Sequence, residues 1–299
     1  MLAVPPSSTY DSAARESALA AAPTLRRLLQ FDGASIGERG RSFFLLPALP
    51  NGRAALLLHG LTASPGQMER FARSLAERGY AVLVPRLPRH GRSDRLTREL
   101  AELDATELLE RTTLALQAAR ELAARITVVG FSLGGTLALR LAHDEDLERA
   151  VAIAPFLGFA WLPNRIAPML ARAILRLPNA FAWWDPIARE AQMPAHGYPR
   201  YSTHAVARAY GLADALLADA RESAPRTHDI VAVSNDREAA VNNRAIRRLL
   251  AAWVASGASG VRNERLRGLP ISHDIVEPER HPEIADRVFP QLLQIVSEP

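Results

Sequence analysis

The chain has 299 residues, 48% of them hydrophobic and 23% charged, an ordinary globular composition that excludes disorder and fibre and leaves room for one sizeable core or two small ones. All 36 basic residues are Arg, and there is neither Lys nor Cys. That excludes a Schiff base, a Ser–Lys dyad, a phosphate-loop lysine, a thiolate nucleophile, a zinc–thiolate site and a disulfide. The formal charge is only +4, and the pI near 10.0 follows from Arg being the only base. The guanidinium groups are interspersed with Asp and Glu apart from one local run, Arg86, Arg89, Arg92, Arg95 and Arg98, so no nucleic-acid partner is predicted.

In chain order, Met1–Ala22 lacks both a basic start and an apolar stretch of about 7–15 residues, so it does not read as a secretion signal. No later stretch reaches the roughly 18 apolar residues of a membrane span, which leaves the cytoplasm as the default location. Residues 1–40 read as a polar lead segment, with Pro5, Pro6 and Pro23. Short apolar runs then alternate with stretches of helical periodicity. Strands are predicted at Phe43–Leu46, Ala54–Leu58, Tyr80–Val84, Ile126–Val129, Ala150–Ala154, Asp229–Val233 and Val261–Leu266. Helices are predicted near Gln67–Arg78, Ala105–Ala124, Thr136–Ala142, Ala239–Ala255 and Pro282–Val296. The pattern is that of an α/β fold, a mostly parallel sheet flanked by helices.

Residues 155–225 break the alternation: they are rich in Pro, carry Trp161, Trp183 and Trp184, and contain no strand-like run. They read as a helical cap inserted into a core made of residues 41–154 and 226–299. Within the cap, Ile166, Leu170, Ile174 and Leu177 form an apolar stripe that must lie on something, either the main domain or an apolar ligand.

The strongest chemical signal is Gly130-Phe131-Ser132-Leu133-Gly134-Gly135, which directly follows one predicted strand and opens a helix. A serine on so sharp a turn has a strained backbone, and only small residues two before and two after it let strand and helix approach. Gly130 and Gly134 meet that demand. The hydroxyl then stands at the carboxyl edge of the sheet, in front of the first-turn N–H groups of the helix. Ser132 is the candidate nucleophile. Upstream, Leu56-Leu57-Leu58-His59-Gly60-Leu61 ends an apolar strand in His-Gly, where a further oxyanion donor belongs.

Together with Pro85 through His90-Gly91-Arg92-Ser93, these segments resemble the α/β-hydrolase superfamily, within it the carboxylesterase and monoacylglycerol-lipase-like serine hydrolases. The resemblance runs from about Ala54 to the C-terminus. It implies an oxyanion hole made by the backbone N–H groups of Leu61 and Leu133, with His59 as scaffold beneath the oxyanion loop.

A serine hydroxyl needs a histidine base, and the histidine needs a carboxylate to fix its tautomer. The fold orders them serine, acid, histidine. His273, in Leu269-Pro270-Ile271-Ser272-His273-Asp274 between the last predicted strand and the last helix, is the expected base. His143, His228 and His281 read as structural, and His196 and His204 belong to the cap. Asp236, in the loop beyond the strand that starts at Asp229, is the expected acid and Glu238 its rival; Asp229 itself comes too early. Arg237 stands between the two candidates, free in principle to pair with either, and no glycine shortly precedes the acid as it often does in relatives.

The resulting expectation is a Ser-His-Asp serine hydrolase. It would cleave carboxylic esters of short-to-medium acyl chains, or monoacylglycerol-like ones, through an acyl-serine intermediate with no cofactor and no metal. The partner implied is a small ester with an apolar acyl group. Amidase, thioesterase and acyltransferase activity share the same first step, and a non-catalytic binder of apolar ligands shares the same fold. Oligomeric state is not legible.

Overall fold

Runs of Ala, Val, Ile and Leu too short for a helix and without polar alternation are strands buried on both faces, as a parallel sheet between helical layers requires. The computed structural model describes residues 12–163 and 166–298. The first part of the polar lead, with Pro5 and Pro6, lies outside them. The elements are α1 (Ser12–Ala21), α2 (Pro23–Leu29), β1 (Phe43–Leu45), β2 (Arg53–Leu58), α3 (Glu69–Ala76), β3 (Ala81–Val84), α4 (Ala105–Arg120), β4 (Arg125–Phe131) and α5 (Leu133–Asp144). They continue with β5 (Arg149–Ile153), α6 (Ala167–Ile174), β6 (Phe181–Trp183), β7 (Arg200–Ser202), α7 (Thr203–Glu222), β8 (Ile230–Asn235), α8 (Asn243–Ala255), β9 (Val261–Leu266) and α9 (Pro282–Ser297), with short 3-10 turns between.

The main sheet runs β1-β3-β2-β4-β5-β8-β9; β1 pairs antiparallel with β3, and every other neighbouring pair is parallel. All the predicted strands are present within a residue or two. Leu56, Leu57 and Leu58 of β2, and Val231, Ala232 and Val233 of β8, are fully buried. The sheet-covering helices are capped by their own sequence: Asp104 accepts from the N–H groups of Thr106 and Glu107 at the start of α4, and Asn242 from those of Arg244 and Ala245 at the start of α8.

The lead segment is part of this body. Leu25 and Leu28 of α2 are buried, and Glu121 beyond α4 accepts from the N–H groups of Thr24 and Leu25 at the first turn of α2. Asp32 forms a buried ion pair with Arg86 at 2.6 Å, and its other oxygen accepts from the Ser42 N–H. Arg86 also donates to the carbonyls of Phe31 and His90.

Between β5 and β8 the structure departs from the sequence reading in three ways. Two strands lie where none was predicted, because three-residue strands, β6 and β7 paired antiparallel, are too short to show a period. Helix α7, whose side of the division was read as cap, packs on α5 and α8 as well as on α6, burying Tyr210, Leu212 and Leu216. The apolar stripe is split: Ile174 is partly buried and packs against the hydrophobic core, while Ile166, Leu170 and Leu177 face outward. Helix α6 seats the small Ala167 and Ala171 against its neighbours and turns Leu170 outward at 40% exposed, with Ile166 just before the helix and Leu177 beyond it 45% and 62% exposed.

Candidate active site

The turn after β4 is as sharp as its glycines require. Ser132 sits at φ +53°, ψ −113°, where a non-glycine residue is strained, and its N–H donates to Ile153 O across to β5. A methyl group on Gly130 would collide with the Gly134 carbonyl, and one on Gly134 with the Leu58 carbonyl. With those contacts open, α5 starts directly behind the serine. Ser132 O accepts from the N–H groups of Thr136 and Phe156, which ties the turn to its helix and to the segment that follows β5.

His273 reaches this hydroxyl from the β9–α9 loop, 141 residues later, with Nε2 2.8 Å from Ser132 Oγ. Its Nδ1 lies 3.0 Å from Glu238 Oε2. The carboxylate opposite the histidine is therefore Glu238, and the expectation that Asp236 would stand there is corrected. The cause is local. Asp236 continues the β8 register by one residue, its N–H donating to Leu266 O, so its side chain faces the opposite way from Asn235 and accepts from Arg265 Nε at 2.8 Å. Beyond it the chain turns, Glu238 N–H donating to Asn235 O, and the glutamate comes back over the sheet edge. Arg265, not Arg237, takes the aspartate.

Glu238 is almost entirely shielded, its side chain 1% exposed, and its second oxygen accepts from the N–H groups of Ala240 at 2.7 Å and Val241 at 3.3 Å. Burial alone would raise its pKa. The hydrogen bond and charge of His273, with the two backbone donors, outweigh that and hold the carboxyl below its usual range. Asn235 joins the two loops: its Nδ2 donates to the carbonyls of Pro270 and Ser272, and its own carbonyl accepts from Asn243 Nδ2. Nothing in the sequence reading singled out Asn235. The signal available was a buried amide at the end of a central strand, which needs partners on the loops it faces.

Leu133 opens α5 behind the serine, and Leu61 lies on the turn after β2; among the described residues neither backbone N–H is spent on a turn or loop hydrogen bond, and both residues line the cavity containing Ser132. His59 is buried below that turn. Leu87 N–H donates to its Nε2, so Nδ1 carries the proton and donates to Gly60 O at 2.9 Å. Burial, with neighbouring His90 adding, keeps His59 neutral, its pKa well below the ordinary value. Three of the other histidines are otherwise engaged: His143 Nδ1 accepts from Trp253 Nε1, His196 lies between Ser64 and Glu277, and His204 bonds Leu177 O.

The cavity over Ser132 has a volume of about 630 Å³. Its wall is largely apolar, with Phe156, Phe159, Trp184, Met193, Val206 and Ile271 among its residues, drawn from both the chain between β5 and β8 and the loops at the sheet edge. Among the described residues no group of three or more His, Asp and Glu side chains is placed to hold a metal ion, and no helix is long and apolar enough to cross a membrane.

Residues 55–283 match the model of the alpha/beta hydrolase family. The chain belongs to that family. Among curated relatives it is 35% identical over 135 residues to the magnesium-chelatase 30 kDa subunit of Rhodobacter capsulatus, covering 43% of this chain and 44% of that one. It is 35% identical over 108 residues to the thermostable monoacylglycerol lipase of Bacillus sp. strain H-257, covering 33% and 38%. The chain thus spans less than half the length of either relative. Among solved structures, a soluble variant of monoglyceride lipase from Saccharomyces cerevisiae superposes with a TM-score of 0.68 at 14% identity, over 86% of this chain and 91% of that one. The monoacylglycerol lipase of Paleococcus ferrophilus gives a TM-score of 0.62 at 18% identity, over 85% and 98%. This alpha/beta hydrolase is thus monoacylglycerol-lipase-like in sequence and shares its fold with that group.

Proposed function

We propose that the protein is a serine hydrolase of carboxylic esters, working through Ser132, His273 and Glu238. The observation that carries this reading is the unbroken hydrogen-bonded chain from Ser132 Oγ through the imidazole to a buried carboxylate. Glu238, as acceptor at Nδ1, holds the proton there and leaves Nε2 as the base. His273 takes the Ser132 proton as Oγ attacks the ester carbonyl carbon, and the Glu238 charge stabilises the imidazolium. The negative charge that develops on the carbonyl oxygen is met by the N–H groups of Leu61 and Leu133. Collapse of the tetrahedral intermediate breaks the bond to the alcohol, which leaves with the proton from His273. Water, activated by the same histidine, then releases the acid from the acyl-serine.

The apolar wall of the cavity and its position between cap and sheet edge suit an apolar acyl chain, short to medium in length or monoacylglycerol-like. The monoacylglycerol lipase among the curated relatives supports the ester reading. The test is turnover of p-nitrophenyl esters of two to twelve carbons, a monoacylglycerol, a thioester and an anilide, with Ser132→Ala as control. Ester turnover that vanishes in the variant, together with fluorophosphonate labelling of the parent alone, is the expected result. Equal turnover by variant and parent would refute the assignment.

A further inference from the structure

The turn that presents Leu61 has a conformation its own sequence does not favour. Ala63 N–H donates to Gly60 O, closing a four-residue turn with Leu61 and Thr62 at its centre, and Thr62 adopts φ +66°. A positive φ at the third position of a turn belongs to Gly or Asn; for a β-branched residue it is an outlier that surrounding contacts must hold in place.

The contacts that hold it come from the cap. Tyr198 N–H donates to Thr62 O at 2.7 Å, and Tyr198 is itself buried with its hydroxyl between Arg89 O and Arg92 N. Trp184 Nε1 donates to Thr62 Oγ1 at 2.9 Å, and Thr62 Oγ1 donates to Leu61 O at 2.6 Å. An indole N–H is only a donor and a carbonyl only an acceptor, so the hydroxyl between them has one possible orientation. The relay fixes the peptide between Leu61 and Thr62, while His59 and Ala63 fix the one before it through Gly60 O.

We infer that Trp184 of the cap is a positioning residue for the oxyanion donor, holding the turn through Thr62 so that the Leu61 N–H stays aimed above Ser132. The inference rests on the proposed role of the Leu61 amide. It makes cap placement a condition for full turnover as well as for substrate enclosure.

The experiment uses the full chain and a p-nitrophenyl acetate assay, because so small an acyl group minimises contact with the indole. Trp184→Phe keeps an aromatic ring and removes the donor; kcat is expected to fall about tenfold with KM little changed, short of the roughly hundredfold or greater loss on removing an oxyanion donor outright. Thr62→Gly accepts the positive φ without strain and needs no such hold. In the Thr62→Gly background, Trp184→Phe is therefore expected to change kcat less than twofold. An unchanged kcat in the single variant, or the same loss in both backgrounds, overturns the inference and leaves the indole as cavity wall only. A parent that neither turns over esters nor reacts with a fluorophosphonate removes the underlying hydrolase reading, and this inference with it; an active parent indifferent to Trp184→Phe removes the inference alone.

Discussion

Replacing Glu238 separates the two candidate acids. Its carboxylate lies 3.0 Å from His273 Nδ1 with the glutamate side chain 1% and the imidazole 25% exposed, so solvent screens the pair only weakly. A hydrogen bond to a charged group is worth about 1.5–3 kcal/mol, and the imidazolium formed during attack would also lose its counter-charge. A histidine left in the wrong tautomer costs about 10⁴ in turnover. Glu238→Gln is therefore expected to lower kcat by roughly 10³–10⁴, a barrier increase of about 4–5 kcal/mol. Asp236→Ala removes pairings with Arg265 and Arg267, whose side chains are 55% and 80% exposed, and each such pair contributes at most about 1 kcal/mol to stability. Its kcat is expected to stay within twofold of the parent. Ester turnover by both variants, with circular dichroism to confirm folding, decides the matter. A thousandfold loss in Asp236→Ala beside near-parent activity in Glu238→Gln would refute the reasoning.

The Ser132 conformation predicts that Ser132→Gly, though inactive, withstands more urea than Ser132→Ala by about 1 kcal/mol, since glycine accepts φ +53° without strain; equal midpoints would count against it. Gly134→Ala sets a methyl against the Leu58 carbonyl and is expected to destabilise by about 3 kcal/mol or more, read from urea denaturation. His90 is fully buried. That burial, aided by Arg86 and opposed by its bond to Pro88 O, lowers its pKa from 6.5 to about 4. A histidine with a depressed folded pKa contributes stability above its unfolded value and loses it as pH falls through the folded one. About 3 kcal/mol should disappear between pH 6.5 and 4. Urea midpoints for the parent and His90→Gln across that range should diverge at neutral pH and converge at acid pH; parallel curves would contradict the sign.

The strands and the serine turn were legible because each writes a local pattern. Parallel strands buried on both faces are uninterrupted apolar runs, and the turn before α5 needs glycine at two fixed positions, with their collisions written into the backbone. The acid was not legible to the residue. Asp236 and Glu238 are both carboxylates past the same strand end, and the choice turns on whether β8 continues one residue beyond Asn235, which its pairing with Leu266 decides. Alternation counted through Ser234 and opposite Arg265 carried a hint that Asp236 had a basic partner across the strands. The outward turn of Leu170 and its exposed neighbours around α6 was illegible for another reason: helical spacing shows that apolar residues share a face, while the alanines one position along decide which face meets the neighbour.

The ion pair between Asp32 and Arg86 bears on how the protein can be dissected. The family match opens at residue 55, yet a truncation made there would leave the Arg86 guanidinium, 7% exposed, with no counter-charge, and would uncover the surface of α4 on which Leu25 and Leu28 rest. An uncompensated buried charge costs about 3–5 kcal/mol, a large share of what holds a domain of this size together. The cooperative unit therefore reaches at least some thirty residues upstream of the recognisable homology, and a fragment cut at the homology border is a poor object for biophysics.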